Sequence, residues 1–266
     1  FPTPLELVSV RADRTGPGDS AVAPGSFRSV TPDGRYVAVT SGATNLVAGG
    51  TTGEQVFLYD RTLARAELVS MSTAGVPGDR PSSNASISGD GRYVTFNSSA
   101  TNLTALPTGG HRQVYVRDRV LRTTRMVTVS IAGGRGANAD SGNPVLSDNG
   151  VVFFESNASD LIPGDIEGNV DVFAWNVFDM TVSRLSEAAP GIMPRGANGN
   201  SENPKVSADG QYVFFDSTAT NFQTAMTGPG PQLPYVFVGS TRRSELALPP
   251  GLAPNASVST CNFTDN

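Results

Sequence analysis

The sequence predicts an all-β fold made of four like sheets, each of four short antiparallel strands. Three observations predict it. A phrase recurs: "TPDGRYVAVTSGATNL" at 31–46, "SGDGRYVTFNSSATNL" at 88–103 and "SADGQYVFFDSTATNF" at 207–222, with "SDNGVVFFESNASDL" at 147–161 keeping the outline. The turn residues Asp33, Asp90, Asn149 and Asp209 lie 57, 59 and 60 residues apart, a period that marks a repeated structural unit. The 266 residues include 29 glycines and 19 prolines but are only 16% charged, so the polar surface falls to Ser, Thr, Asn and Gly. That mixture suits strands and turns and suits long helices poorly.

Each unit reads the same way. A first strand leads into a turn: "RSVTPDG", "ASISGDG", "PVLSDNG", "PKVSADG". Asp-Gly between apolar runs predicts a tight primed hairpin, because glycine takes positive φ without strain. The second strand follows as "RYVAVTS", "RYVTFNS", "VVFFES" and "QYVFFDS". Its branched and aromatic residues fit a pleated surface, and its near-continuous apolar character predicts burial on both faces. A third strand ("QVFLYDR", "QVYVRDR", "DVFAWN", "YVFVGS") and a fourth ("AELVSM", "RMVTVS", "VSRLS", "SELAL") complete the unit. The units fall at about 26–75, 83–135, 142–190 and 202–248, joined by Gly/Pro/Asn-rich links. One twisted sheet cannot hide both its faces. Sheets packed side by side about an axis can, which predicts a single β-propeller domain over 1–266 with four complete blades.

The ends are out of phase with the blades. Residues 5–10 match an outermost strand and residues 255–260 an innermost one. Four blades closing on themselves, a piece of a larger ring, and pairing of the loose ends with another copy all fit this pattern. No leader segment is visible, which is expected of a cytoplasmic chain or a mature product, and a start without Met favours processing or trimming.

The phrase S-x-D-G-R-Y-V-x-F-x-S-x-A-T-N-L, followed by V-F-V-x-D-R and R-x-V-S, resembles the WD40-like repeats of TolB-type β-propellers, in the long-period version of secreted or periplasmic bacterial proteins. The resemblance covers about residues 5–260. It implies an extracellular, cell-surface or periplasmic location and an interaction platform that binds a protein or carbohydrate. Some such propellers are attached to enzymes, and pectin-degrading lyases of similar fold rely on clustered histidines.

Composition excludes much chemistry. A net charge of −5 argues against nucleic acid, which needs a basic patch. No apolar run approaches the roughly 20 residues of a membrane-spanning helix. The one histidine, His111, and the one cysteine, Cys261, cannot build a zinc site, and neither a histidine cluster nor a Gly-x-Ser-x-Gly elbow is present. The only lysine, Lys205, follows Pro204 and so heads no phosphate loop.

The remaining candidates are few. The recurrent acids Asp33, Asp90 and Asp209 are expected to serve their turns, and Asp60 and Asp118 to end the third strands. The predicted inner strands hold no acid before their turns, which argues against a glycosidase funnel. They hold Arg28 and Lys205, a candidate anion site at the funnel mouth. The loop "PGDIEGNVDVF" sets Asp165, Glu167, Asn169 and Asp171 at alternate positions, as oxygen ligands of Ca²⁺ can be. Blades of the resembling family often carry G-D-x-N-G-x-x-D there, whereas blades one and two have lost the acids. Glycosylation sequons stand at Asn84, Asn97, Asn102, Asn157, Asn255 and Asn262. The function expected is non-catalytic binding or scaffolding. A carbohydrate-active enzyme and a subunit self-assembling through its terminal strands are the alternatives.

Overall fold

The computed structural model describes residues 5–189, 191, 193 and 195–222, with the backbone of Tyr235–Ser240. Strands β1 (Val22–Pro24), β2 (Tyr36–Ser41), β3 (Gln55–Asp60) and β4 (Arg65–Leu68) form the first sheet in that order. The second holds β5 (Ser82–Ile87), β6 (Tyr93–Ser98), β7 (Gln113–Asp118) and β8 (Thr123–Met126). The third holds β9 (Ser141–Leu146), β10 (Val151–Ser156), β11 (Asp171–Asn176) and β12 (Val182–Arg184). In the fourth, β13 (Ser201–Val206), β14 (Tyr212–Ser217) and β15 (Tyr235–Ser240) are described. Neighbouring strands within each sheet pair antiparallel. No helix occurs among the described residues. The expected strands at 244–248 and 255–260 lie outside them, and of 5–10 only Val10 is bridged, to Pro17.

The recurrent phrase is a set of hydrogen bonds. In the first turn, Asp33 Oδ1 accepts from Thr31 Oγ1 at 2.6 Å and from the Arg35 amide at 2.9 Å. Asp90 and Asp209 repeat this with Ser88 and Arg92, and with Ser207 and Gln211. Only the glycine of each turn takes positive φ (68°, 72°, 81° and 69° at Gly34, Gly91, Gly150 and Gly210). The turns are therefore four-residue loops held by the carboxylate of Asp33, Asp90 or Asp209, with the Asn149 side-chain oxygen in that place in blade three, not the two-residue primed turns expected. The later serine of the phrase accepts the alanine amide two residues on, at 3.0–3.1 Å in all four blades. That alanine and the following Leu or Phe are buried. The intervening Thr-Asn pair grips the preceding link: Asp79 accepts the Thr101 amide at 2.7 Å, and Asn102 Oδ1 accepts the Asp79 amide at 3.1 Å. In blade three the two residues trade places, Asn138 and Asp160 making the reciprocal bonds. The letters change there and the bonding survives.

The core lies between successive sheets. Leu58, Ile87, Phe96 and Tyr115 fill the joint of blades one and two. Phe154, Phe173 and Trp175 pack with Val114 and Val116 in the next joint, and Phe153, Val172, Val213 and Phe215 in the third. Each such side chain contributes roughly 1.5–3 kcal/mol by burial. Strands β3 and β7 are buried at every residue, as the continuous apolar runs predict. In blades two to four the first serine of the inner strand also donates its amide across a joint, Ser82 to Glu54 O, Ser141 to Arg112 O and Ser201 to Val170 O.

The inner strands converge on one axis. The amide of Ser26 bonds Ala85 O, its hydroxyl reaches Pro144 O, and Arg28 Nη1 reaches Ser207 O. One short segment of blade one thus touches the other three. This segment is where the structure departs from the expected boundary. The inner strand of blade one begins at Val22, ahead of 26. Nine residues (22–30) bridge the span between strand partners that 82–87 bridges with six in blade two. The extra residues bulge into the axis. Blades two to four make a smaller bulge with Asn84, Asn143 and Asn203 at φ 55°, 46° and 56°, a conformation asparagine tolerates. The sheets therefore radiate from a shared centre.

Candidate functional site

At the axis the bulge residue Arg28, with φ of 66°, sends its guanidinium to Asp148 and to Ser207 O. Asp148 also accepts the Gly89 amide at 2.6 Å, so this carboxylate ties three blades together. Lys205 is exposed on β13, its Nζ 5.7 Å above the Phe27 ring. The two cations of the sequence-based anion site thus lie near one another across blades one and four, with Arg28 neutralised from blade three.

The expectation of an acid-free centre needs correction. Strand β13 itself carries Glu202. Glu155 and Asp216 of the second strands reach the inner-strand bulges, where Asn203 donates its amide to Glu155 at 2.9 Å and its side chain to Asp216 at 3.2 Å. Asn143 donates to Glu155 at 2.7 Å and receives from Asn84 at 2.9 Å. The bulge lets second-strand acids through, which strand alternation alone does not reveal. Among the sequons, Asn97 is buried and Asn84 is committed to this network, Asn102 donates to Pro77 O, and Asn157 is exposed. Asn255 and Asn262 lie outside the described residues.

The acidic loop of blade three converges on an arginine. Arg184 Nη1 lies 3.0 Å from Asp165, 3.4 Å from Glu167 and 3.6 Å from Asp171, all buried. Asn169 instead donates to Ala197 O at 3.0 Å. The repeat explains the cluster. Where Asp171 stands, blades one and two have Gln55 and Gln113; where Arg184 stands, they have Leu68 and Met126. Each glutamine donates to the link beyond it, Gln55 to Gly78 O and Gln113 to Ala137 O. In blade three Asn169 makes that bond, and the Asp-Arg pair fills the register. Burial pushes the Asp171 carboxyl up to about 7, against the Ser186 hydroxyl and Arg184, which pull it down. Asp165 is raised for the same first reason, and Glu167 is held low by backbone amides despite its burial.

The joint of blades two and three holds a cleft at the surface. Between blades one and two, Arg119 stacks 4.3 Å over the Tyr36 ring, pairs with Glu67 and donates to Gly91 O. Arg61 likewise pairs with Glu6 at 2.7 Å and donates to Gly34 O at 3.0 Å. Between blades two and three the register that holds Arg119 holds Val177, and the register that holds Glu67 holds Arg125. Tyr93 keeps the place of Tyr36, with only its own neighbour Arg92 at 4.8 Å over its ring. The space left is a cavity of about 190 Å³ walled by Tyr93, Val116, Leu121, Trp175, Val177 and Phe178, with Arg92, Asp118, Thr123 and Arg125 completing the lining. Its lip is apolar and wet: Leu121 is 59% exposed and Phe178 69%. Arg125 is exposed, has no carboxylate within ion-pair reach among the described residues, and touches Met180 Sδ at 3.9 Å. By contrast Arg92 is held by Asp118 at 2.7 Å. Burial works to raise the Asp118 pKa, but hydrogen bonds from Arg92 and the Leu121 amide outweigh it and keep the carboxylate charged. Sequence reading missed this cleft. The signal was present as Val177, where blades one and two carry Arg61 and Arg119, and as Arg125, where blade one carries Glu67.

In fold, the chain is a β-propeller similar to TolB. A structure assigned as TolB from Agrobacterium tumefaciens is 18% identical over 71% of this chain and 52% of its own, with a TM-score of 0.45. An oligogalacturonate lyase solved with manganese is 12% identical over 85% of this chain and 65% of its own, with a TM-score of 0.46. A prolyl endopeptidase is 11% identical over 74% and 26%, with a TM-score of 0.45. The chain thus spans between about half and two thirds of the first two structures and a smaller share of the third. No family profile and no curated protein matches it. Among the described residues no helix is long and apolar enough to cross a membrane.

Proposed function

We propose that this propeller is a non-catalytic binding module of the cell exterior or periplasm, and that its partner meets the cleft between blades two and three. One observation carries the reading. The register that the joint of blades one and two seals with a stacked arginine and an ion pair is here an open cavity with an exposed apolar lip. Exposed apolar side chains around a concave site mark interaction surfaces. The rigid blades fix the walls, and the turns that carry Leu121 and Phe178 present the lip.

The test uses the purified chain as bait for a random dodecapeptide display library. Selected peptides are expected to lose at least tenfold in affinity for Leu121→Ser/Phe178→Ser, two exposed changes that leave the core untouched. Failure to select any peptide, or peptides indifferent to the double change, would refute the reading.

A second reading rests on Glu155 and Asp216. Two carboxylates on neighbouring blades, bridged by Asn203, form the kind of pair a glycosidase requires. Hydrolysis of an oligosaccharide substrate that disappears in Glu155→Gln and in Asp216→Asn would favour it over binding alone.

A further inference from the structure

We infer that the cleft takes an acidic protein segment, one that inserts an aromatic or aliphatic side chain beside a carboxylate. The inference rests on the reading of the cleft as a binding site and adds the chemistry of its occupant.

The argument comes from the repeat. In the joint of blades one and two, three groups meet: a tyrosine ring, the guanidinium over it, and the carboxylate that holds the guanidinium. In the joint of blades two and three the ring remains as Tyr93. The guanidinium that the next blade would stack over it is gone, because Val177 ends in two methyl groups, and only Arg92 of its own blade lies over the ring among the described residues. The carboxylate has become its opposite, Arg125. The vacancy therefore has apolar walls on one side, the mutually paired Arg92 and Asp118 on the other, and Arg125 as the cation with no carboxylate within ion-pair reach among the described residues. Whatever completes the joint must bring bulk for the cavity and a negative charge for Arg125.

Size narrows the occupant. The cavity of about 190 Å³ falls below the roughly 300–1,000 Å³ typical of small-molecule sites. It suits one inserted side chain, as anchor pockets at protein interfaces do. The lip argues the same way. Leu121, Phe178 and Met180 are each more than half exposed around the opening, so the surface to be covered extends past the cavity itself. Charge supplies the other half. Arg92 is spent on Asp118, whereas exposed Arg125 on β8 has no carboxylate within ion-pair reach among the described residues and touches Met180 Sδ. A carboxylate docked on Arg125 gains a charge-assisted bond of the kind Arg119 already makes to Glu67. Arg125 also steers an acidic partner to this lip, so association should weaken as salt rises.

The test starts from the peptides selected on the wild-type chain. Their sequences are expected to place Asp or Glu within two positions of Phe, Tyr, Trp or Leu. Replacing that acid by its amide should weaken binding about tenfold, read by quenching of Trp175, the chain's single tryptophan, which lines the cleft. In Arg125→Gln the acid and amide peptides should bind alike. The double variant Arg125→Glu/Val177→Arg rebuilds the arrangement of the neighbouring joint. It should unfold at the wild-type temperature or above while binding drops at least tenfold. Selected peptides without acids, an acid preference that survives in Arg125→Gln, or full binding by the double variant would overturn the inference and leave the cleft reading standing. A bait that selects no peptide at all would overturn both.

Discussion

Changing Asp171 to Asn should remove a pH dependence that the fold carries in blade three. Asp171 is 1% exposed. Its Oδ1 accepts from Ser186 Oγ, while Oδ2 has no hydrogen-bond partner and lies 3.6 Å from Arg184. Burial lifts its carboxyl from an ordinary value of 3.8 to about 7. A raised acid binds its proton more tightly in the folded state than in the unfolded chain. Stability is therefore fullest below pH 4, falls as pH rises from about 4 to about 7, and is flat above. Each pH unit of that interval is worth about 1.4 kcal/mol, which sets a ceiling of about 4 kcal/mol. Relaxation around the buried ions brings the working figure to about 2 kcal/mol. Asn stays uncharged, as Gln55 and Gln113 do at the same register, and its carbonyl can keep the Ser186 bond. Asp165 and Glu187 are also raised, so some slope survives the change. Urea unfolding at pH 4.5, 6 and 8 measures it. The variant should match wild type near pH 4.5 and exceed it by about 2 kcal/mol at pH 8. Curves that stay parallel across the range would refute the reasoning.

Three further outcomes follow from other parts of the fold. Arg28→Ala and Asp148→Ala should each cost about 1–3 kcal/mol, with the double change costing clearly less than the sum, because each single change strands a partner at the axis; additive losses in urea unfolding would show that the pair is not coupled. Gly25→Ala should destabilise by about 2 kcal/mol or more, since a Cβ there would stand 2.5 Å from Ala85 O, a backbone atom that cannot yield; an unchanged melting temperature would contradict the close packing of the blade-one bulge. Millimolar Ca²⁺ should give no calorimetric heat, because we propose that Arg184 already serves Asp165, Glu167 and Asp171; measurable binding to the wild-type chain would restore the calcium reading of that loop.

Much of this was legible in the chain itself. The repeat gave blade number, strand order and turn positions, because strand period and turn chemistry are local. The recurrent acids were read as structural, and their bonds to neighbouring amides show them so. The loop of Asp165, Glu167 and Asp171 was visible as a cluster of oxygens. Arg184, which sits among them, comes from another strand and was invisible to spacing. The same holds at the axis. Glu155 and Asp216 stand in second strands, and only the asparagine bulges bring them to the centre. The bulge of blade one looked like an ordinary first strand, since the three added residues carry no signal of where they point.

By itself, the sequence determined what repeats: the unit, its strands and its hydrogen-bonded phrase, each set by residues a few positions apart. Tertiary structure alone decided what the repeats do to one another. Val177, Arg125 and Tyr93 lie on different strands of two blades, and their meeting is a fact of packing between sheets. A cleft made by a missing side chain can be seen only where the neighbours that should have enclosed it are already in place.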